Sequence, residues 1–334
     1  MNTPLQLRGV NLGGWLLLER WMTPTLFRGT DANDEFQFMQ HPDARTRIEN
    51  HRKSFITEAD FQWMQQHSIN AVRIPIGYWI LDGDPPYTSA IVHLDWAMKM
   101  AEKYTIQVLI DLHGLQGSQN GRDHSGKIGR SDWFRDKTRR KQSIDTLVAI
   151  AQRYRNSPIF WGLQIINEPK LGLLHLRMRR YYRQAYKALD AVLAPQTKII
   201  FSDAFTPRLF KGYLNPDRAV MDVHLYHMTT FLSQYRSITW FMQKTASRSR
   251  LIHRLSKKQP VIIGEWSGIL RHETVRDLSD SRQQALFQQY THLQMDSYQN
   301  ALGWFYWNYK TESPGWWNFK SMVNDKKIDM MRYT

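Results

Sequence analysis

The 334-residue chain contains no cysteine. That absence excludes a disulfide framework, a thiolate nucleophile and any cysteine-ligated metal. No apolar run approaches the roughly 18 residues that a transmembrane helix needs. Residues 1–8 enter an apolar strand pattern directly, without the basic start, long apolar stretch and cleavage site of a secretory leader. A cytoplasmic location is therefore expected, or a secreted one if a leader has been removed. No Pro-, Gly- or Ser-rich linker, internal repeat or low-complexity tract divides the chain, so one domain over 1–334 is the simplest organisation. The nucleotide-binding G-x-G-x-x-G and G-x-x-x-x-G-K-[ST] loops are missing, as are the G-x-S-x-G elbow and the H-E-x-x-H zinc helix.

Acidic residues are the scarcer charge, 30 against 45 Lys and Arg, for a net +15. That balance favours anionic partners. Basic clusters stand at Arg135–Lys141, Arg177–Arg180 and Arg248–Lys258. They carry no nucleic-acid recognition motif and fall outside the cleft expected below, so no nucleic-acid partner is expected. Contact with an anionic polysaccharide or membrane surface remains open, with Thr239–Met242 supplying apolar groups beside the last cluster. Hydrophobic residues make up 42% of the chain, enough for a sizeable core, and 13 Trp are far more than a barrel core needs. Flat indole faces suit the faces of sugar rings.

Short apolar runs alternate with helical stretches. Strands are expected at Leu7–Gly14, Asn70–Pro75, Gln107–His113, Phe160–Asn167, Lys198–Asp203, Ala219–Tyr226, Pro260–Trp266 and Ala301–Trp307. Helices are expected at Glu58–His67, Leu94–Lys103, Lys141–Tyr154, Leu173–Leu193 and Ser279–Tyr298. Near-continuous apolar strands are those of a parallel sheet covered on both faces. Eight βα units give an α/β fold, a closed (β/α)8 TIM barrel or a doubly wound sheet. Asn11–Trp15 after the first strand lacks the dinucleotide fingerprint and favours the barrel. Two long excursions, 15–54 and 227–259, follow strands one and six and are expected at the mouth.

Residues at the C-terminal ends of barrel strands face the active site. Here those ends carry Arg73, Asp111–Leu112–His113, Asn167–Glu168–Pro169, His224–Leu225–Tyr226, Gly264–Glu265–Trp266 and Trp307. Two carboxyl groups about 5 Å apart cleave a glycosidic bond with retention, one as nucleophile and one as acid/base. Glu168 and Glu265, on strands facing each other across the barrel, fit that pair. Arg73 and Tyr226 would keep Glu265 ionised, and Glu168 has to hold a proton until it is used. Asn167 would bond the sugar 2-hydroxyl, His113 and His224 would orient sugar or carboxylates, and Trp307 would floor the ring.

The ordered set Arg73, His113, Asn167–Glu168, His224-x-Tyr226, Glu265 and Trp307 resembles glycoside hydrolase family five over about residues 8–320. The resemblance implies a retaining glycosidase on a (β/α)8 barrel, without metal or organic cofactor, acting on an oligo- or polysaccharide. Arg8–Trp15 with Leu18–Glu19 and Thr23–Pro24, Gly117–Gly121 and Lys310–Glu312 are similar to the exo-β-1,3-glucanase branch. That likeness implies that Glu19 holds the terminal glucose, with Asn120 and Asp123 in support. Where the branch commonly has Phe–Asp–Asn–Ser–Gly, this chain has Arg122–Asp123–His124–Ser125–Gly126, and Thr229 replaces a second Phe. Both aromatic clamp positions are lost, which puts the 1,3 preference in question and suggests an anionic or substituted acceptor sugar. The expected function is hydrolysis of β-glucans or β-glucosides by double displacement. Transglycosylation, cleavage of an acidic exopolysaccharide and a non-enzymatic polysaccharide-binding barrel are the alternatives.

Overall fold

The computed structural model describes residues 6–170, 175–228, 236–330 and 332. Eight parallel strands close on themselves in sequence order. They are β1 (Leu7–Asn11), β2 (Ala71–Gly77), β3 (Gln107–Gly114), β4 (Phe160–Gln164), β5 (Lys198–Ser202), β6 (Ala219–His224), β7 (Val261–Trp266) and β8 (Gly303–Tyr306). The circle is completed where β1 pairs with β2 on one side and with β8 on the other.

The helices are α1 (Glu35–Phe38), α2 (Ala44–Phe55), α3 (Glu58–Gln66), α4 (Ile91–Lys103), α5 (Lys137–Tyr154), α6 (His175–Asp190), α7 (Pro207–Phe210), α8 (Ile238–Ser256), α9 (His272–Val275), α10 (Asp280–Ser297) and α11 (Phe319–Asn324). The expected start of the fourth helix at Leu173 lies outside the described residues. The two excursions are not loops throughout: the first contains α1 and α2, and the second contains the 19-residue α8. On α8, Phe241 is buried against Leu270, Val275, Phe287 and Tyr290, with Trp240 and Met242 packed alongside. Phe241 is thus spent on the fold, while Trp240 and Met242 are partly buried against it.

Inside the barrel the strand period of two sorts residues into layers. Leu7, Ala71, Leu109, Ile200, Val220, Ile262 and Phe305 form an apolar plug. Gly9 makes room for it, since a Cβ there would sit 2.3 Å from the Phe305 ring. Two residues further along β2, β3 and β6, Arg73, Asp111 and Asp222 are buried, and so is Asn11, two residues beyond Gly9 on β1. The interior thus turns from hydrocarbon to charge along its axis. Asp60 on α3 takes bonds from Lys310 (2.9 Å), Lys320 (2.7 Å) and the Tyr309 hydroxyl (2.9 Å), tying the first βα unit to the segment after β8.

Candidate active site

The charged layer is organised by Arg73, whose five N–H groups all have partners. Nε donates to Gln164 (3.1 Å), Nη1 to Asn11 (2.8 Å) and Glu265 (3.0 Å), and Nη2 to Asn167 and Asp111 (both 2.9 Å). Burial opposes its charge, but Asp111, Glu265 and Asp222 outweigh burial and hold the guanidinium above its usual value.

Glu265, at the end of β7, also accepts from the Tyr226 hydroxyl at 2.9 Å and lies 3.4 Å from His224 Nδ1. His224 Nδ1 is 2.7 Å from Glu168 Oε1, and its Nε2 is 3.1 Å from Asp222 Oδ2. One oxygen from each glutamate and one His224 nitrogen lie within 4.8 Å of one another. The trio has the donor types of a metal site, but His224 turns both ring nitrogens toward carboxylates, the pattern of a donating imidazolium. Asp111 and Asp222 do matching work, each bonding the histidine two residues on, with Asp111 2.6 Å from His113 Nδ1.

Glu168 follows β4 with φ of 39°, in the left-handed region that a side-chain-bearing residue enters at a cost of order 1 kcal/mol. The turn is held from the segment after β3. Asn120 Nδ2 donates to the Glu168 carbonyl (3.0 Å), and Gln119 Nε2 donates to the carbonyls of His113 (2.7 Å) and Asn167 (2.9 Å). Asn120 therefore shapes the backbone that carries Glu168. His113 Nε2 meets Asn167 Nδ2 (3.2 Å) and His124 Nδ1 (3.3 Å). Since His113 bonds Asp111 through Nδ1, its Nε2 is the acceptor of both, and burial together with Arg73 lowers its pKa well below the usual value.

A cavity of about 530 Å³ opens above these groups, lined by Glu19, His113, Glu168, His224, Tyr226, Glu265 and Trp307. Glu19 is buried and takes a 2.8 Å bond from Trp21 Nε1. Burial and the nearby charge of Asp123 raise its pKa well above the usual value. Asp123 itself does not line this cavity and acts on Glu19 through its charge. Trp307 lies nearly parallel to His113, with ring centroids 5.6 Å apart at 13°. Thr229 lies outside the described residues.

The model for "Cellulase (glycosyl hydrolase family 5)" matches residues 31–313. The chain belongs to glycosyl hydrolase family 5. The enzyme is 35% identical to the "Probable glucan 1,3-beta-glucosidase A" of Aspergillus niger, over 92% of this chain and 84% of that one. It is 29% identical to the "Glucan 1,3-beta-glucosidase" of Blumeria graminis, over 95% and 85% of the two chains. Among solved structures it resembles rutinosidase from Aspergillus niger, with TM-score 0.82 and 22% identity over 96% of this chain and 97% of that one. Family 5 enzymes hydrolyse glycosidic bonds with retention, and a carbohydrate substrate follows.

The protonation of this family 5 site departs from expectation. Burial alone would push Glu168 up, but the bond from His224 and the charge of that imidazolium hold it down at about 2. The unliganded enzyme thus keeps Glu168 ionised, with the proton on His224. His224 is raised well above its usual value because Glu265, Asp222 and Glu168 overcome its burial. Burial raises Glu265, while His224 and Arg73 pull it back. Burial thus raises Asp111 and Glu265, while His224 holds Glu168 and Asp222 below their usual values.

Several site residues escaped the sequence reading. Asp222 was recoverable, because β3 and β6 share an Asp-x-His pattern and the strand period places both members inside. Trp317 joins Trp21 (5.5 Å) to Tyr226 (6.0 Å) as an aromatic rim that nothing in its local sequence announces. Phe205 is 55% exposed and borders the cavity, with its amide held by Asp203 at 2.9 Å. Arg248 corrects a prediction: the third basic cluster was expected outside the cleft, yet this member lines the cavity.

Proposed function

We propose that this enzyme is an exo-acting β-glucosidase of β-glucans, β-1,3-linked in the first instance, working by double displacement with Glu265 as nucleophile and Glu168 as acid/base. The observation that carries the reading is the approach of the two carboxylates to within 4.8 Å. An inverting pair stands roughly 6.5–9.5 Å apart to admit a water. Glu265 attacks the anomeric carbon while Arg73 and Tyr226 hold its two oxygens in line. The proton for the leaving oxygen starts on His224 Nδ1, crosses the 2.7 Å bond to Glu168 as the sugar displaces water, and passes on. Once Glu265 is esterified its charge is gone, Glu168 gives up protons more readily, and it deprotonates the incoming water. Glu19, buried at the cavity wall beside Trp21, supports exo action by offering acceptors to the hydroxyls of a terminal glucose. The relatives named as glucan 1,3-beta-glucosidases support the linkage.

Time-resolved NMR of digests of β-1,3, β-1,4 and β-1,6 gluco-oligosaccharides tests the proposal. Glucose released first as the β-anomer, one unit at a time, is the expected result. An initial α-anomer overturns double displacement, and internal cleavage products overturn the exo reading.

A further inference from the structure

We propose that the leaving-group side of the cleft is built for a sugar bearing a negative charge, a carboxylate or a phosphate, recognised by Arg122 and Lys170, with Arg248 of the adjoining main cavity in support. The proposal rests on the glycosidase reading above and adds the substrate's chemical class.

The two sides of the cleft are distinguished by the acids. Glu265, Glu19 and Trp307 surround the sugar that is attacked. The unit that departs must lie beyond Glu168, which protonates the oxygen between them. A second cavity of about 460 Å³ occupies that place. Glu168 lines it, Glu265, Glu19 and Trp307 do not, and its other walls include Arg122, Lys170 and Phe205. Arg122 and Phe205 line the main cavity too, so the two spaces are continuous around Glu168.

Arg122 and Lys170 wall this second cavity, Arg248 lines the main one that adjoins it, and none of the three is spent on the protein's own acids. Among the described residues Arg122, Lys170 and Arg248 form no ion pair. This contrasts with Arg73 and Arg218, whose guanidinium groups are anchored by carboxylates. Arg248 is the more telling case. Its Nε is buried with no hydrogen-bond partner among the described residues, in a side chain that lines the main cavity. Its neighbours do not offset its charge: His227 and Lys244 are both depressed by it, after burial. Asp203, which lines the main cavity with Arg248, is pushed up to about 7 by burial, so it offers only a partial countercharge. Phe205, exposed beside these cations, gives the departing ring an apolar face.

An anionic leaving unit also suits the reaction. Cations near the departing oxygen stabilise the negative charge that develops there before the proton arrives. The overall charge of +15 draws an acidic glycan toward the enzyme.

The test uses matched β-glucosyl disaccharides of one linkage whose reducing unit is glucose, glucuronate or glucose 6-phosphate, assayed for glucose release at low and high salt. The wild-type enzyme is expected to favour one or both charged substrates, with kcat/KM about tenfold above the neutral one, as for a hydrogen bond to a charged group. Salt is expected to erode the preference. Preference for glucuronate alone assigns a carboxylate, and preference for the phosphate alone assigns a phosphoryl group. Arg122→Gln should collapse the charged-to-neutral ratio, Arg248→Gln should lower it, and Arg122→Lys should keep most of it. Equal ratios in the wild type, or a preference unchanged in both Gln variants, overturns the subsite. Neutral disaccharides cleaved without charge preference would leave the glycosidase reading standing while removing this one. No turnover of any β-glucoside, aryl glucosides included, would remove both.

Discussion

Replacing Asp222 with Asn separates the charge of this residue from its shape. Asp222 Oδ1 accepts from the Gly264 amide at 2.7 Å, and an asparagine oxygen can keep that bond. The fit is close, since a Cβ on Gly264 would lie 2.2 Å from the same oxygen. The other oxygen accepts from His224 Nε2 at 3.1 Å, and there an Asn amide presents hydrogens instead. His224 then has to offer Nε2 as an acceptor and can carry only one proton, on the Nδ1 that faces Glu168. A hydrogen bond to a charged group is worth about 1.5–3 kcal/mol. At about 1.4 kcal/mol per unit, the proton shared by His224 and Glu168 loses roughly one to two pKa units of affinity. The basic limb of the kcat/KM profile should move down by that amount. Burial raises Glu265 and the charge of His224 pulls it back, so weakening that charge should move the acidic limb upward and narrow the profile from both sides. Stability follows the same sign. His224 is raised in the folded enzyme, so its contribution is full below about 6.5 and is lost as pH climbs through the folded value. Asp222→Asn removes part of that contribution. The assay is kcat/KM for an aryl β-glucoside across pH, with thermal melts as the folding control. A folded, active Asp222→Asn enzyme with an unmoved basic limb would refute the claim that the catalytic proton resides on His224.

Three further outcomes follow from other parts of the molecule. With an activated aryl β-glucoside and added azide, Glu168→Ala should be rescued with a β-glycosyl azide product, whereas any azide adduct from Glu265→Ala should be the α-anomer; the reverse pattern exchanges the two roles. Arg73→Met should lower stability by roughly 3–5 kcal/mol by stranding buried carboxylates, and Arg73→Lys should lose kcat because an ammonium cannot span five acceptors; a wild-type melting temperature and kcat for the Lys variant would contradict this. Asp60 is held down from 3.8 to about 2 because Lys310, Lys320 and Thr57 outweigh its burial, so Asp60→Asn should cost about 2 kcal/mol. As its folded value is depressed, that stabilisation is full above 3.8 and disappears as pH falls through about 2, so denaturant midpoints of the two proteins should converge between pH 4 and 2.

The barrel was legible because strands covered on both faces read as short apolar runs, and each of the eight was recognised, six of them a few residues too long and the C-terminal ends of β2 and β3 one or two residues short. The excursions were harder. α2 buries only Ala44, Ile48 and Arg52, four residues apart. A search for apolar periodicity loses such a helix because its third inward residue is an arginine, paired with buried Glu35 at 3.7 Å. α8 was hidden by its basic surface. In the site, Arg73, His113, Asn167, His224, Tyr226, Glu265 and Glu168 converge because strand ends converge in any closed barrel. Ionisation did not follow from sequence, since the state of Glu168 depends on a 2.7 Å contact with a histidine fifty-six residues away. Phe205 and Trp317 were missed for a related reason: single aromatics in loops gain meaning only from what lies opposite them.

The loop that carries Arg122 is fastened to the barrel by its backbone and by Gln119, Asn120 and Ser125, with the Ser125 hydroxyl 2.6 Å from that of Ser118. Among the described residues no bond from the Arg122 side chain takes part in that fastening. Mutational drift at this position is therefore nearly free of structural penalty, and so is drift at Lys170. A lineage can trade a neutral sugar for a charged one by exchanging these side chains, without disturbing the proton circuit a few ångströms below. Descent within this family would then preserve how the bond is broken while letting the glycan change from one genome to the next.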